Sequence, residues 1–178
     1  KIPGIPAEAE EIMLLRDIVL AKRTGAKTHF CHISTSFGAR MIGAAKEAGV
    51  SITAETAPHY LCFTEKMIQS IQDSNKKMNP PLRTEQDRLR LIEALKNGWL
   101  DAIATDHAPH SKEEKTKSIL ESPFGIIGLE TALPLLYTYL IKQNQISFYK
   151  IIESLTRKPA EILGLNFYPI KEGNDLNF

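Results

Sequence analysis

The histidines of this chain stand next to other residues able to bind metal or move protons. His29 and His32 bracket Phe30-Cys31, and His59 lies in Ala57-Pro58-His59-Tyr60. His107 and His110 follow Asp106 in Thr105-Asp106-His107-Ala108-Pro109-His110. A neutral imidazole is the commonest metal ligand, and an Asp carboxylate supplies an oxygen ligand or a base. Metal-assisted or acid–base chemistry is what such a set suits. Each residue also has a plainer role. His29 and His32 fall on opposite faces of a regular strand, so His29 reads as a hydrogen-bonded structural residue. Asp106 suits a helix cap as well as a site, Cys31 is a small buried hydrophobe, and Tyr60, Phe63 and Trp99 read as packing residues. Asn79-Pro80-Pro81-Leu82-Arg83 is different, because two prolines force a rigid extended loop. Asn79 and Arg83 on that loop are suited to an amide or a carboxylate. In Ser122-Pro123-Phe124-Gly125 a flexible glycine lets backbone N–H groups approach a ligand. Gly125-Ile-Ile-Gly128 lacks the spacing of a phosphate loop, and no G-x-S-x-G nucleophile elbow occurs.

Such residues must be brought together by elements, and the order of elements is legible. Ala7 to about Arg23 has helical periodicity, with Glu8, Glu10 and Glu11 early and Lys22 and Arg23 late, as the helix dipole prefers. Lys27–Ile33 reads as a strand, Phe37–Ala48 as a helix capped from Ser34-Thr35-Ser36, and Val50–Glu55 as a second strand. A helix is predicted around Glu65–Ile71 and another over Thr84–Asn97, the latter opened by a capping-box-like Thr84-Glu85-Gln86-Asp87. Leu100–Thr105 is the third strand. Beyond it the pattern is helical over about Leu129–Gln143, Phe148–Leu155 and Pro159–Leu163. Lys112-Glu113-Glu114-Lys115 reads as a solvated helix face, and Ala108–Ser122 as the segment where mobility is expected.

Alternating helices and strands with short connections give a parallel α/β sheet, either doubly wound or a (β/α)8 barrel. Both folds place their sites at the carboxyl ends of strands, where Cys31-His32, Glu55 with His59, and Asp106-His107 fall. A barrel needs about 250 residues, and this chain has 178. It opens on Lys1 without Met, and Asp175-Leu176-Asn177-Phe178 reads like the start of a strand. A segment of a longer protein is therefore expected.

The remaining composition narrows the partners. With 22 Lys+Arg against 21 Asp+Glu, the formal charge of +1 argues against nucleic-acid or anionic-membrane binding. The apolar runs are far shorter than the ~20 residues of a spanning helix. The two cysteines, Cys31 and Cys62, cannot build a disulfide framework, which favours a reducing cytoplasm.

Five motifs occur in one order: His29-Phe-Cys-His32-Ile-Ser-Thr35, Thr53-Ala-Glu-Thr-Ala-Pro-His59, Lys77-Met-Asn-Pro-Pro-Leu-Arg83, Ala104-Thr-Asp-His-Ala-Pro-His110 and Pro123-Phe-Gly-Ile-Ile-Gly-Leu-Glu-Thr-Ala-Leu-Pro134. Together they closely resemble the dihydroorotases of the amidohydrolase superfamily, of the larger type related to the dihydroorotase domain of the multifunctional pyrimidine-synthesis protein. The resemblance runs from about Ile5 to Gly173. It implies the C-terminal portion of a (β/α)8 TIM-type barrel of the metal-dependent hydrolase kind, with residues 1–178 a partial catalytic domain lacking its N-terminal half. It implies interconversion of N-carbamoyl-L-aspartate and L-dihydroorotate in pyrimidine synthesis, with zinc as the metal, two ions in the complete enzyme. By the family pattern His32 is a metal ligand, and Asp106 is both metal ligand and catalytic proton shuttle. Asn79, His110, Phe124 and Gly125 match substrate-binding positions, while Glu55 and Cys31 lie near the metal without a catalytic role. A homodimer or larger assembly, and contact with aspartate transcarbamoylase, are further implications.

The other family ligands belong upstream, so this segment alone is expected neither to hold zinc tightly nor to turn over. Tyr60 departs from the family, which usually has a second His there, and Pro-His-Tyr-Leu is more like allantoinases and hydantoinases. An allantoinase- or hydantoinase-type hydrolase, or a catalytically silent scaffold for the transcarbamoylase, are the competing readings.

Overall fold

The computed structural model describes residues 4–167 and 171–173. The strand-like run Asp175–Phe178 lies outside them. The core is a three-stranded parallel sheet in the order β1-β2-β3: Thr28–Phe30, Ile52–Thr56 and Ala102–Ile103. His29 pairs with Thr53 and Phe30 with Ala54; on the other side of β2, Glu55 pairs with Ala102 and Thr56 with Ile103. Helix α1 (Ala7–Thr24) precedes β1, and α2 (Ser36–Glu47) crosses from β1 to β2. Between β2 and β3 run α3 (Pro58–Cys62), two single 3-10 turns and α4 (Glu85–Lys96). After β3 come α5 (Lys112–Lys115), α6 (Ala132–Leu136, continued as a π turn to Ile141), α7 (Phe148–Leu155) and α8 (Arg157–Leu163).

Helix α2 packs between α1 and α4, and α7 packs against β3. Leu14, Ile42, Ala54, Leu91, Leu95, Leu100 and Ile151 are among the buried residues that fill the space between. Gly43 is required there: a Cβ would lie 2.5 Å from the Trp99 ring, so the missing side chain lets the indole lie on α2. Asp101 ties the sheet to that layer, its Oδ2 accepting the Ala54 N–H at 2.8 Å and the Lys46 ammonium at 2.6 Å.

The elements depart from the sequence expectations where side chains take over backbone groups. The predicted helix at 65–71 shrinks to one 3-10 turn, Glu65–Met67, because the Asp73 carboxylate captures the N–H groups of Gln69 and Ser70. The α3 turn was not predicted; Pro58 occupies its first position, where the missing N–H costs nothing. All three strands are shorter than expected. β1 stops at Phe30 because His32 turns into the left-handed region at φ 44°. The helix predicted from Leu129 starts only at Ala132, because the N–H groups of Gly128 and Leu129 are donated to His107 Nδ1. The Thr84 capping box is present as predicted, with Thr84 and Asp87 exchanging bonds.

Candidate functional site

His32 and Asp106 follow the carboxyl ends of β1 and β3, the two strands flanking β2. Strands about 4.8 Å apart put those two ends within about 10 Å of each other. Both residues have positive φ, 44° for His32 and 50° for Asp106. For residues with a Cβ this conformation is costly and gathers at functional sites. It also breaks the strand alternation at His32. His29 and Cys31, two residues apart, share one side with Glu55, while His32 sits close enough to His59 to act on it electrostatically.

The turn after His32 is pinned from two directions. On the sheet side, the Ile33 N–H donates to Glu55 O at 2.9 Å and the Thr56 hydroxyl donates to Ile33 O at 2.8 Å. On the helix side, Glu10 accepts from the Ser34 N–H (2.9 Å), the Ser34 hydroxyl and the Thr35 N–H (3.3 Å). Arg83 completes the brace, donating to Ser34 Oγ at 3.1 Å and Ile5 O at 2.6 Å. Arg83, read from sequence as a ligand for a carboxylate, is thus committed to holding the turn. Glu10, read as an ornament of the helix dipole, accepts hydrogen bonds across the interface; nothing in its spacing along α1 announces that.

Two buried rings sit under this mouth. His59 is 3% exposed, packs edge-on against Tyr60 at 4.2 Å, and its Nε2 is buried with no hydrogen-bond partner among the described residues. Burial, then the neighbouring His32, pushes His59 down to about 4, so it is neutral at pH 7. Tyr60 is more than a packing residue: its hydroxyl donates to Pro80 O at 2.6 Å, fixing the loop that carries Asn79. The Asn79–Pro80 bond is cis. Asn79 is exposed and lines a cleft of about 420 Å³ with His32, Cys31, Glu10 and Arg83. Cys31, read from sequence as a buried hydrophobe, is exposed; partial desolvation and the Glu55 and Asp106 carboxylates push its thiol up, and the Tyr60 phenol is pushed up by burial and by Asp106. Asp106 therefore acts electrostatically on both.

His110, Phe124 and Gly125 form a second group. His110 donates from Nε2 to Phe124 O at 2.8 Å. Gly125 has φ 147°, and a Cβ there would lie 2.4 Å from Ala108 O, so only glycine fits. Its N–H, expected from sequence to face a ligand, is bonded to Lys77 O at 2.9 Å. His110 and Gly125 line a cleft of about 530 Å³ with Ala108, Ser111 and Lys115. The structure thus brings His32 and Asn79 to one cleft and His110 and Gly125 to another, while Asp106 and Phe124 line neither of these two. Lys115 is not a solvated charge: its ammonium donates to Ser74 O (3.1 Å) and Pro123 O (2.9 Å). Lys77 donates to Ser122 O at 2.7 Å and lies 4.5 Å from the centre of the Phe124 ring.

Parallel strands joined by helices, with imidazole and carboxylate at their carboxyl ends, define an arc of a (β/α) barrel with a hydrolase-like mouth. The amidohydrolase family model matches residues 3–178, and the chain belongs to that family. It is 49% identical over 172 residues to a dihydroorotase of Brevibacillus brevis, covering 97% of this chain and 40% of that protein. It is 51% identical over 162 residues to a dihydroorotase of a Geobacillus species, covering 91% of this chain and 38% of that protein. The chain thus spans about 40% of the length of the curated relatives it matches. Among solved structures it resembles dihydropyrimidinase from Brevibacillus agri (TM-score 0.83, 27% identity, 90% of this chain and 36% of that one). L-hydantoinase from Arthrobacter aurescens is similar too (TM-score 0.80, 29% identity, 89% and 36%).

Proposed function

We propose that this chain is the part of a dihydroorotase that carries His32 and Asp106 to the metal, in an enzyme interconverting N-carbamoyl-L-aspartate and L-dihydroorotate. The observation that carries the reading is the pair of left-handed residues, His32 and Asp106, after two strands that flank a common neighbour. The dihydroorotase relatives supply the substrate, a small cyclic amide and its open form.

The donor set fits a divalent ion of the zinc kind: an imidazole, a carboxylate, and beneath them a neutral buried His59 whose Nε2 is unpartnered among the described residues. His32 and Asp106 would hold the ion, with further ligands from outside this chain. Such an ion lowers the pKa of bound water and polarises a carbonyl. The chain's own contribution is the proton. An Asp106 carboxylate oxygen accepts it from the attacking water and returns it to the departing ring nitrogen. Asn79 offers amide donors to the substrate from a loop braced by Tyr60, and His110 with the Phe124–Gly125 backbone shapes the opposite wall. Pyrimidine synthesis, a cytoplasmic location, a homodimer or larger assembly and contact with aspartate transcarbamoylase belong to the same proposal. No helix among the described residues is long and apolar enough to cross a membrane.

A hydantoinase-type reading is favoured by the structural neighbours and by Tyr60 in Pro58-His59-Tyr60-Leu61. The full-length protein separates the two. Turnover of N-carbamoyl-L-aspartate, lost by about 10²–10⁴-fold in Asp106→Asn, is expected; turnover of a hydantoin with none of carbamoyl aspartate would overturn the proposal.

A further inference from the structure

His107 has no part in the chemistry proposed above, although it adjoins Asp106. Its Nδ1 accepts two backbone amides, the Gly128 N–H at 3.0 Å and the Leu129 N–H at 3.2 Å. A backbone amide nitrogen can only donate, so Nδ1 offers its lone pair and the ring proton sits on Nε2.

Those two bonds are part of a wider fastening. His107 bridges to Ile126 in parallel fashion, and the Ala108 N–H donates to Ile126 O at 2.9 Å. Gly128 lies so close to the strand end that a Cβ would stand 2.9 Å from Thr105 O. Residues 105, 107 and 108 are therefore each held against 126–129, and Asp106 is the residue enclosed between them. Its φ of 50° persists in a residue with a Cβ only where neighbours over-determine the backbone. No hydrogen bond among the described residues ends on the Asp106 carboxylate, so the backbone on either side sets where it points.

We propose that His107 is a positioning residue for Asp106: by accepting both amides at Nδ1 it locks the left-handed turn that aims the carboxylate. Through it the 126–129 segment acts back on the end of β3. The effect on turnover rests on the dihydroorotase reading, whereas the lock itself does not. A reacting group displaced by about 1 Å loses on the order of 10²-fold in rate, so a lock of this kind matters to a proton-transferring carboxylate.

The test compares His107→Asn with His107→Gln in the full-length protein. An asparagine Oδ1 is bonded to Cγ as the histidine Nδ1 is, so it keeps an acceptor near both amides and gives up the Nε2 proton. A glutamine reaches further, placing a donor near the former Nε2 and leaving both amides without their acceptor. His107→Gln should lower kcat for N-carbamoyl-L-aspartate about 10–100-fold, with KM changed by less than about twofold. It should also speed hydrogen exchange at the Gly128 and Leu129 amides. His107→Asn should hold kcat within about threefold of the unaltered protein and keep both amides protected. Unchanged kcat in His107→Gln, or a loss in His107→Asn as large as in His107→Gln, would overturn the proposal. So would the reverse order, which would put Nε2 on the substrate instead, and so would equal exchange of the two amides in all three proteins. Hydrogen exchange is read without turnover. An unaltered protein that ignores carbamoyl aspartate, with exchange in the expected order, would sink the dihydroorotase reading and leave the lock standing.

Discussion

The mouth around His32 and the loop from Asp106 to Thr131 are built by opposite means. At the mouth, the sheet's own groups do the positioning: Ile33 N–H on Glu55 O, Ala104 N–H on Thr56 O, and a carboxylate, Glu10, gathering the turn that follows. In the loop, regular pairing is nearly absent, reduced to an isolated bridge between His107 and Ile126. Side chains reach over to hold backbone: His107 takes two N–H groups, while Lys77 and Lys115 cap carbonyls of residues 74, 120, 122 and 123. The contrast separates tasks. Under the proposed function, the groups that would hold an ion are set by the ends of strands, whereas those that would enclose a substrate are set by contacts able to open singly.

The comparison breaks most visibly at Gly125. Gly125→Ala places a Cβ against the Ala108 carbonyl at a φ that resists side chains. It should cost about 3 kcal/mol in urea unfolding and leave the loop open to proteolysis between residues 110 and 125. Next is the mouth. Glu10→Ala strands the Ser34 and Thr35 N–H groups and leaves Arg83 nearly buried without its carboxylate partner, at a cost of about 2 kcal/mol. Its effect should fall on both kcat and stability. Lys115→Met should cost about 1 kcal/mol, raise KM several-fold with kcat little changed, and speed proteolysis of the loop alone. A kcat loss as large as that of Glu10→Ala would erase the division of labour.

The smallest effect is electrostatic. Burial acts to raise the Asp87 pKa, but the Thr84 and Ser36 donors outweigh it and hold the carboxyl below its ordinary value. A folded value below the unfolded one contributes stability above the unfolded value of 3.8 that is lost as pH falls through the folded value. Asp87→Asn should cost about 1 kcal/mol at pH 7 and flatten the acid limb of a stability–pH curve. A limb unchanged by Asp87→Asn would mean that the bond from the Ser36 N–H at the start of α2 to Asp87 Oδ1 (2.8 Å) contributes nothing.

Sequence legibility follows the same division. The places of His32 and Asp106 just beyond β1 and β3 were readable because short β-rich runs end near them, and the five motifs in register suggested the roles proposed for them. The helices with strong periodicity, α1, α2, α4 and α7, were readable within a residue or two. Glu10, Tyr60, Lys77 and Lys115 were not, because each acts on a backbone group distant in the chain, and no local period records that. Helix 65–71 and the start of α6 failed for a related reason: Asp73 and His107 took the N–H groups that a helix would have used.

The central claim is that His32 and Asp106 serve a single ion. Bound metal should be counted in the full-length protein, in His32→Ala, in Asp106→Asn and in the double variant, with folding checked by circular dichroism. Each single change should lower occupancy of the same site, and the double change should lower it no further. Unchanged metal in both single variants, or losses that add in the double one, would contradict the account.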